Sequence, residues 1–223
     1  MSELKYYVID TETNGLKANY HECTEIGIIR ATDRMQLWKN IKCESPERSN
    51  FDALAITKKT LADLEKGFTK EQVVEECDRF FNEDGLTPAH RCIVGHNIFT
   101  FDKRFLFALW ESVGKIFPAT LWLDTIPMTR AYAKQIGLVK PKVNLHAACD
   151  ILGVKKISEA HNAKVDSRNS YLLWKNLVEE KKVDYLPFIK TAIHQYIDPA
   201  AALAALDNDD NGAGLDPALL DVE

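Results

Sequence analysis

The sequence has little cysteine, no long apolar run, and no lysine or arginine beyond Lys190. Its five cysteines (Cys23, Cys43, Cys77, Cys92 and Cys149) are odd in number, far apart, and form no Cys-x-x-C pair. That pattern argues against a secreted disulfide scaffold and against a cysteine zinc site. No apolar stretch approaches the roughly 18 residues that a membrane span requires. Met1 to Val8 runs straight into a strand-like segment without a signal-peptide core. The expectation is a soluble, cytoplasmic protein with reduced thiols and no membrane contact. Positive charge is also scarce, with 28 Lys+Arg against 33 Asp+Glu and a formal net charge of −5. Taken alone, that balance counts against a partner as acidic as nucleic acid.

What is present is an ordinary globular composition over 223 residues, 46% hydrophobic and 27% charged. It excludes a fully disordered chain, a collagen-like repeat and a membrane bundle. The length suits one well-filled domain. Tyr6–Asp10 is a β-branched and aromatic run stopped by Asn14-Gly15. Glu25–Arg30 and Met35–Lys42 follow as strands around a polar turn at 32–34, so the domain opens on an antiparallel meander. A helix is predicted from Lys70 to Asn82, with Val73, Val74, Cys77, Phe80 and Phe81 on one face and Thr69-x-x-Gln72 as a capping box.

Strand–helix alternation comes next. Arg91–Gly95 reads as a buried strand feeding a helix over 102–113, and Leu121–Thr125 as a strand entering a helix with Met128 and Tyr132. Further helices are expected over 144–152 and 166–180. Together these predict an α/β domain with a mixed sheet. Residues 1–198 are assigned to this domain. Asp198-Pro199 then starts a short Ala-rich helix, and 207–223 reads as an acidic tail too polar to fold, a possible dock for a protein partner. That tail carries six acidic and no basic residues, so the remaining body has 28 basic against 27 acidic residues and a charge of +1.

Three sets of polar residues fall at junctions between regular elements and loops. Asp10-Thr-Glu12 lies where an apolar strand ends, and side chains two apart on a strand share a face, so both carboxylates can converge on one point. Alone, such a pair is more often a turn or cap. Asn97-Ile-Phe-Thr-Phe101-Asp102 follows the buried strand and sets Asp102 at a helix start, where a capping aspartate is common. His161 and Asp166 stand five apart, which turns about 500° along an α-helix and puts them on different faces. To cooperate, His161 must lie on the loop entering the helix that Asp166 opens.

As an ordered set, these motifs resemble the DEDDh family of 3′–5′ exonucleases, the DnaQ-like group with a ribonuclease-H-like fold. Asp10-Thr11-Glu12, followed by Thr13-Asn14-Gly15-Leu16, matches its first motif, Asn97 to Phe101-Asp102 its second, and His161-x4-Asp166 its third. Glu25-Ile-Gly27, Asp124-Thr125 and Asn144-Leu145 are weaker echoes. The second motif uses a longer spacing than many relatives, and Ser167 replaces a frequent alanine. The resemblance, spanning about residues 6–180, implies a five-stranded mixed sheet (three antiparallel strands, then parallel ones) flanked by helices.

It also implies two-metal phosphodiester hydrolysis from the 3′ end of single-stranded nucleic acid. Asp10, Glu12, Asp102 and Asp166 would be the ligands of two Mg²⁺ ions, with Mn²⁺ as a substitute, and His161 the general base. Thr13, Leu16, His96, Asn97 and an aromatic, Phe99 or Phe101, would contact the terminal nucleotide. DNA proofreading or repair is the first expectation and RNA trimming, oligoribonuclease-like, the second. A catalytically silent binding module of the same fold is a third, disfavoured because all five catalytic positions carry the expected residue. Two divalent ions would take the body from +1 to about +5. Arg130 to Lys156, with six basic residues against Asp150 alone, is a candidate strand track. Oligomeric state is left open.

Overall fold

β1 (Lys5–Thr13), β2 (Cys23–Arg30) and β3 (Gln36–Asn40) form the opening antiparallel meander. The structure is a computed structural model that describes residues 4–157 and 162–195. His161, the Ala-rich segment and the acidic tail therefore lie outside the described residues. Beyond β3 come α1 (Phe51–Thr57), capped by Asn50, and α2 (Leu61–Leu64), opened by a Thr60/Asp63 capping box. Then follow α3 (Lys70–Asn82), β4 (Arg91–Gly95), α4 (Asp102–Glu111), β5 (Leu121–Asp124) and α5 (Thr125–Gln135). α6 (Leu145–Leu152), α7 (Ala163–Lys175) and β6 (Ile189–Thr191) complete the order.

The sheet has six strands in the order β3-β2-β1-β4-β5-β6. β1–β4 and β4–β5 are parallel and β6 returns antiparallel to β5, so the mixed ribonuclease-H-like sheet is present with one strand more than expected. β6 is three residues long and largely exposed, which leaves no alternating apolar signal in the sequence.

Period-two alternation divides the core. Tyr7, Ile9, Ile26, Ile28, Ile93 and Trp122 face α3 and α4 with Phe81, Phe105 and Trp110. Val8, Ile29, Cys92, Val94 and Leu123 face the opposite side, with Met128 of α5, Cys149 of α6 and Leu173 of α7. The result is a three-layer sandwich. All five cysteines are buried free thiols, and among the described residues no helix is long and apolar enough to cross a membrane.

Two expectations shift. α7 begins at Ala163 rather than Asp166, because the Asn162 side chain accepts from the amides of Lys164 and Val165 and caps the helix three residues earlier. α1 and α2 occupy a stretch in which no helix was expected. At seven and four residues they are too short to show a helical period.

Candidate active site

β1 sets the first two carboxylates. Asp10 and Glu12 share the face of Val8, toward α7, while Thr11 points to the other side. There the amide and hydroxyl of Thr11 both donate to Oδ1 of Asp102, at 2.9 and 2.8 Å. Asp102 is the first residue of α4 and is buried. Strand end and helix start are thus tied through one carboxylate oxygen.

The fourth carboxylate arrives on α7. Glu25 lies opposite Glu12 in the β1–β2 ladder. Its Oε2 accepts from the amide of Ala163 at 3.1 Å, and its Oε1 pairs with Lys59 at 2.7 Å. The first turn of α7 is therefore held by a strand carboxylate as well as by Asn162, as a helix N-terminus favours. Two residue pairs further along, opposite Asp10, Gly27 lets the α7 backbone approach β2. A Cβ there would fall on the carbonyl of Ala163. Asp166 comes to rest beside β1, and carboxylate oxygens of Asp10, Glu12 and Asp166 lie within 4.8 Å of one another.

Crowding these acids together has an electrostatic consequence. Burial, reinforced by Asp102, Glu12 and Asp166, pushes the Asp10 carboxyl well above the usual carboxylate range. Burial and the charges of Asp166 and Glu25 push Glu12 up to about 8, with Lys59 opposing. Burial raises Asp102 to about 7 against the two bonds from Thr11. Without a cation, several of these groups hold protons at neutral pH.

The carboxylates lie in an open cleft of about 640 Å³, which is also lined by His96, Asn97, Phe101, Val143 and His146. His96 is committed at both ring nitrogens. Burial lowers its pKa and keeps the ring neutral. Nε2–H donates to the Val143 carbonyl at 2.7 Å, which leaves Nδ1 to accept from the Thr125 hydroxyl at 2.8 Å. Asn97 adopts φ +67°, a left-handed conformation that asparagine tolerates. Its amide donates to Asp124 at 3.1 Å. Phe101 packs on Phe105 with centroids 5.1 Å apart and borders a second hollow of about 200 Å³. Thr13 and Leu16 line that hollow beside Glu12, with Leu16 66% exposed.

A family model described as exonuclease, RNase T, matches residues 7–174. The chain belongs to the RNase T exonuclease family. Three structural neighbours share its fold. Exonuclease I from Methylocaldum szegediense superposes with a TM-score of 0.65 at 19% identity, over 83% of this chain and 42% of that one. E. coli exonuclease I in complex with a 5cy-dT13 oligonucleotide gives 0.64 at 17% identity, over 83% and 43%. Cell-death related nuclease 4 gives 0.65 at 11% identity, over 86% and 67%. The exonuclease I matches span less than half of those chains. No curated protein sequence matches the chain.

The fold of the RNase T exonuclease family implies divalent metal use, and the carboxylate cluster of this chain is in keeping with that. Of the nine other anticipated site residues besides His161, seven (Asp10, Glu12, His96, Asn97, Phe101, Asp102 and Asp166) line one cleft. Thr13 and Leu16 line the adjoining hollow.

Sequence reasoning missed Lys59, His146 and the full role of Asp124. Asp124 accepts from the amides of Asn97, Phe99 and Ile126 and so shapes the loop of the second motif. Lys59 stands in the unanticipated α1–α2 stretch, and no local pattern marks it. His146 follows Asn144-Leu145, a pattern that marks a helix start and nothing of the cleft.

Proposed function

We propose that this family member is a 3′–5′ exonuclease that hydrolyses single-stranded DNA with Mg²⁺, Mn²⁺ being able to substitute. The carrying observation is the convergence of Asp10, Glu12 and Asp166 within 4.8 Å in an open cleft. An all-carboxylate donor set suits hard divalent ions, and the raised pKa values of Asp10 and Glu12 mark negative charge that a cation would offset. The residues therefore fit the metals that the fold implies. Asp10, Glu12 and Asp166 would hold one ion, and Asp102, with Asp10 shared, the other. When bound, such ions lower the pKa of the attacking water and offset charge on the scissile phosphate and departing oxygen.

The chain's own residues do the rest. His161 takes the proton of the attacking water, a task suited to imidazole because its reference pKa is about 6.5. Leu16 and the Thr13 backbone flank the terminal nucleotide from the apolar hollow. Phe101 offers a sequence-tolerant apolar face to its base, and Asn97 a polar group to its sugar. The water oxygen bonds to phosphorus, the bond to the 3′-oxygen breaks, and a nucleoside 5′-monophosphate leaves a chain with a new 3′-hydroxyl. A role in DNA proofreading or repair fits such chemistry.

The test compares single-stranded DNA labelled at either end. Stepwise shortening of the 5′-labelled strand, with immediate release of a 3′ label as mononucleotide, is expected. Prior release of the 5′ label would overturn the reading.

A further inference from the structure

Beside the catalytic cleft lies a groove of about 280 Å³ that shares Asn97 and Ile126 with it. Its outer wall carries Arg130 from α5 and Lys190 from β6, both exposed. Phe99 stands in the groove and carries two ammonium groups: Lys103 lies 4.0 Å and Lys190 4.9 Å from its ring centroid. Among the described residues none of Lys103, Arg130 and Lys190 forms an ion pair. Converging cations without a carboxylate partner hold an electrostatic cost that an anion relieves.

Asp124, the acid within the groove, accepts three backbone amides and so does not supply that anion to the lysines. Phe99 is occupied as a cation–π platform for Lys103 and Lys190.

We infer that this groove is a phosphodiester-binding subsite for the stretch of DNA on the 5′ side of the scissile bond, with Arg130, Lys190 and Lys103 as its cations. The inference rests on the proposed exonuclease reading. Continuity at Asn97 and Ile126 makes groove and cleft one path, so a strand end in the cleft leads its backbone past Phe99. The strand track thus runs over Arg130 and Lys190. In the basic segment expected from the sequence, Lys156 is instead engaged with Asp150 at 2.8 Å.

The test is the double variant Arg130→Ala/Lys190→Ala, with Arg130→Lys/Lys190→Arg as the charge-preserving control. Affinity for 5′-fluorescein-labelled dT10 is read by anisotropy in EDTA across a salt series. Hydrolysis of dT10 and of a thymidine dinucleotide is read with Mg²⁺. The alanine variant should bind dT10 about tenfold more weakly. Its slope of log affinity against log salt should flatten by about 1.4, for two lost single-strand phosphate contacts. The dinucleotide should keep its kcat/KM within twofold, and the charge-preserving variant should restore the slope. An unchanged slope, or an equal loss on dinucleotide and decamer, would overturn the subsite. A flattened slope in the alanine variant, with no hydrolysis of DNA by the wild type, would sink the exonuclease reading while leaving the groove as a phosphate-binding site.

Discussion

Gly27 on β2 lies directly beneath Ala163, the first residue of α7, so closely that any side chain at Gly27 would collide with the Ala163 carbonyl and the Ser167 hydroxyl. Because Asp166 stands one turn further along α7, this contact sets how near the helix brings its carboxylate to Asp10 and Glu12. Gly27→Ala should lift the start of α7 from the sheet. We expect a stability loss of about 1–3 kcal/mol by denaturant melt. Activity on single-stranded DNA should fall about 10²-fold, since a displacement near 1 Å can cost that much. Wild-type turnover in the variant would show that the approach is not needed.

A second expectation concerns Glu25 and Lys59, nearly buried and 2.7 Å apart. Glu25 stands across from Glu12, and Lys59 keeps it from adding an uncompensated fifth charge to the cluster. Lys59→Met should destabilise the fold by about 3 kcal/mol, as breaking a buried pair does. Lys59→Met/Glu25→Gln should recover most of it, because the amide oxygen still accepts from Ala163. A double-mutant cycle with no coupling would refute the pairing.

The pH response of the metal-free protein has a definite sign. Glu12 and Asp102 are raised to about 8 and about 7, above their unfolded values, so the folded state binds more protons than the unfolded state in that window. Stability without metal should therefore fall as pH rises through 7 to 8, where most carboxylate-rich proteins are flat. Millimolar Mg²⁺ should reverse the trend. Thermal melts at pH 5.5, 7 and 8.5, with EDTA and with Mg²⁺, decide it.

Two histidines invite a direct comparison. His161→Ala should lower kcat by 10²–10⁴, the usual contribution of a general base. His146, exposed and lining the cleft, should tolerate alanine within a few-fold. The reverse ranking would move the proton transfer to His146.

Arg91 and Asp84 supply a contrast away from the cleft. They form a buried ion pair at 2.7 Å, to which the Tyr7 hydroxyl also donates. Against the cost of burial, bonds from Arg91, the Leu86 amide and Tyr7 hold Asp84 down at about 2. Arg91→Ala should cost about 3–5 kcal/mol in stability. The kcat of the folded fraction should stay within twofold.

Much of this was legible in the residues, for physical reasons. Helix α3 and strand β4 match their expected bounds because a capping box and an unbroken apolar run mark them locally. Asp10 and Glu12 could be aimed at one point from strand periodicity alone. Asp166 could not be aimed so well. Its helix is capped by Asn162 rather than opened by Asp166, and its distance from β1 depends on Gly27 and Glu25, which are remote in sequence. Lys59, α1, α2 and β6 were invisible because each is too short for a period or acts only through a partner far along the chain. His96 was expected at the nucleotide, yet both its ring nitrogens are taken up by the cleft wall, a fact no motif spacing carries.

The proposed activity rests on the Asp10, Glu12, Asp102 and Asp166 cluster hydrolysing the terminal phosphodiester with divalent metal. Its most direct test incubates the purified chain and Asp166→Asn with dT10 and Mg²⁺, with and without EDTA, and weighs the products by mass spectrometry. The expected products are thymidine 5′-monophosphate and shortened chains ending in 3′-hydroxyls for the wild type, and neither product with EDTA or with Asp166→Asn. Intact dT10 with the wild type, products ending in 3′-phosphates, or full activity in EDTA would contradict it.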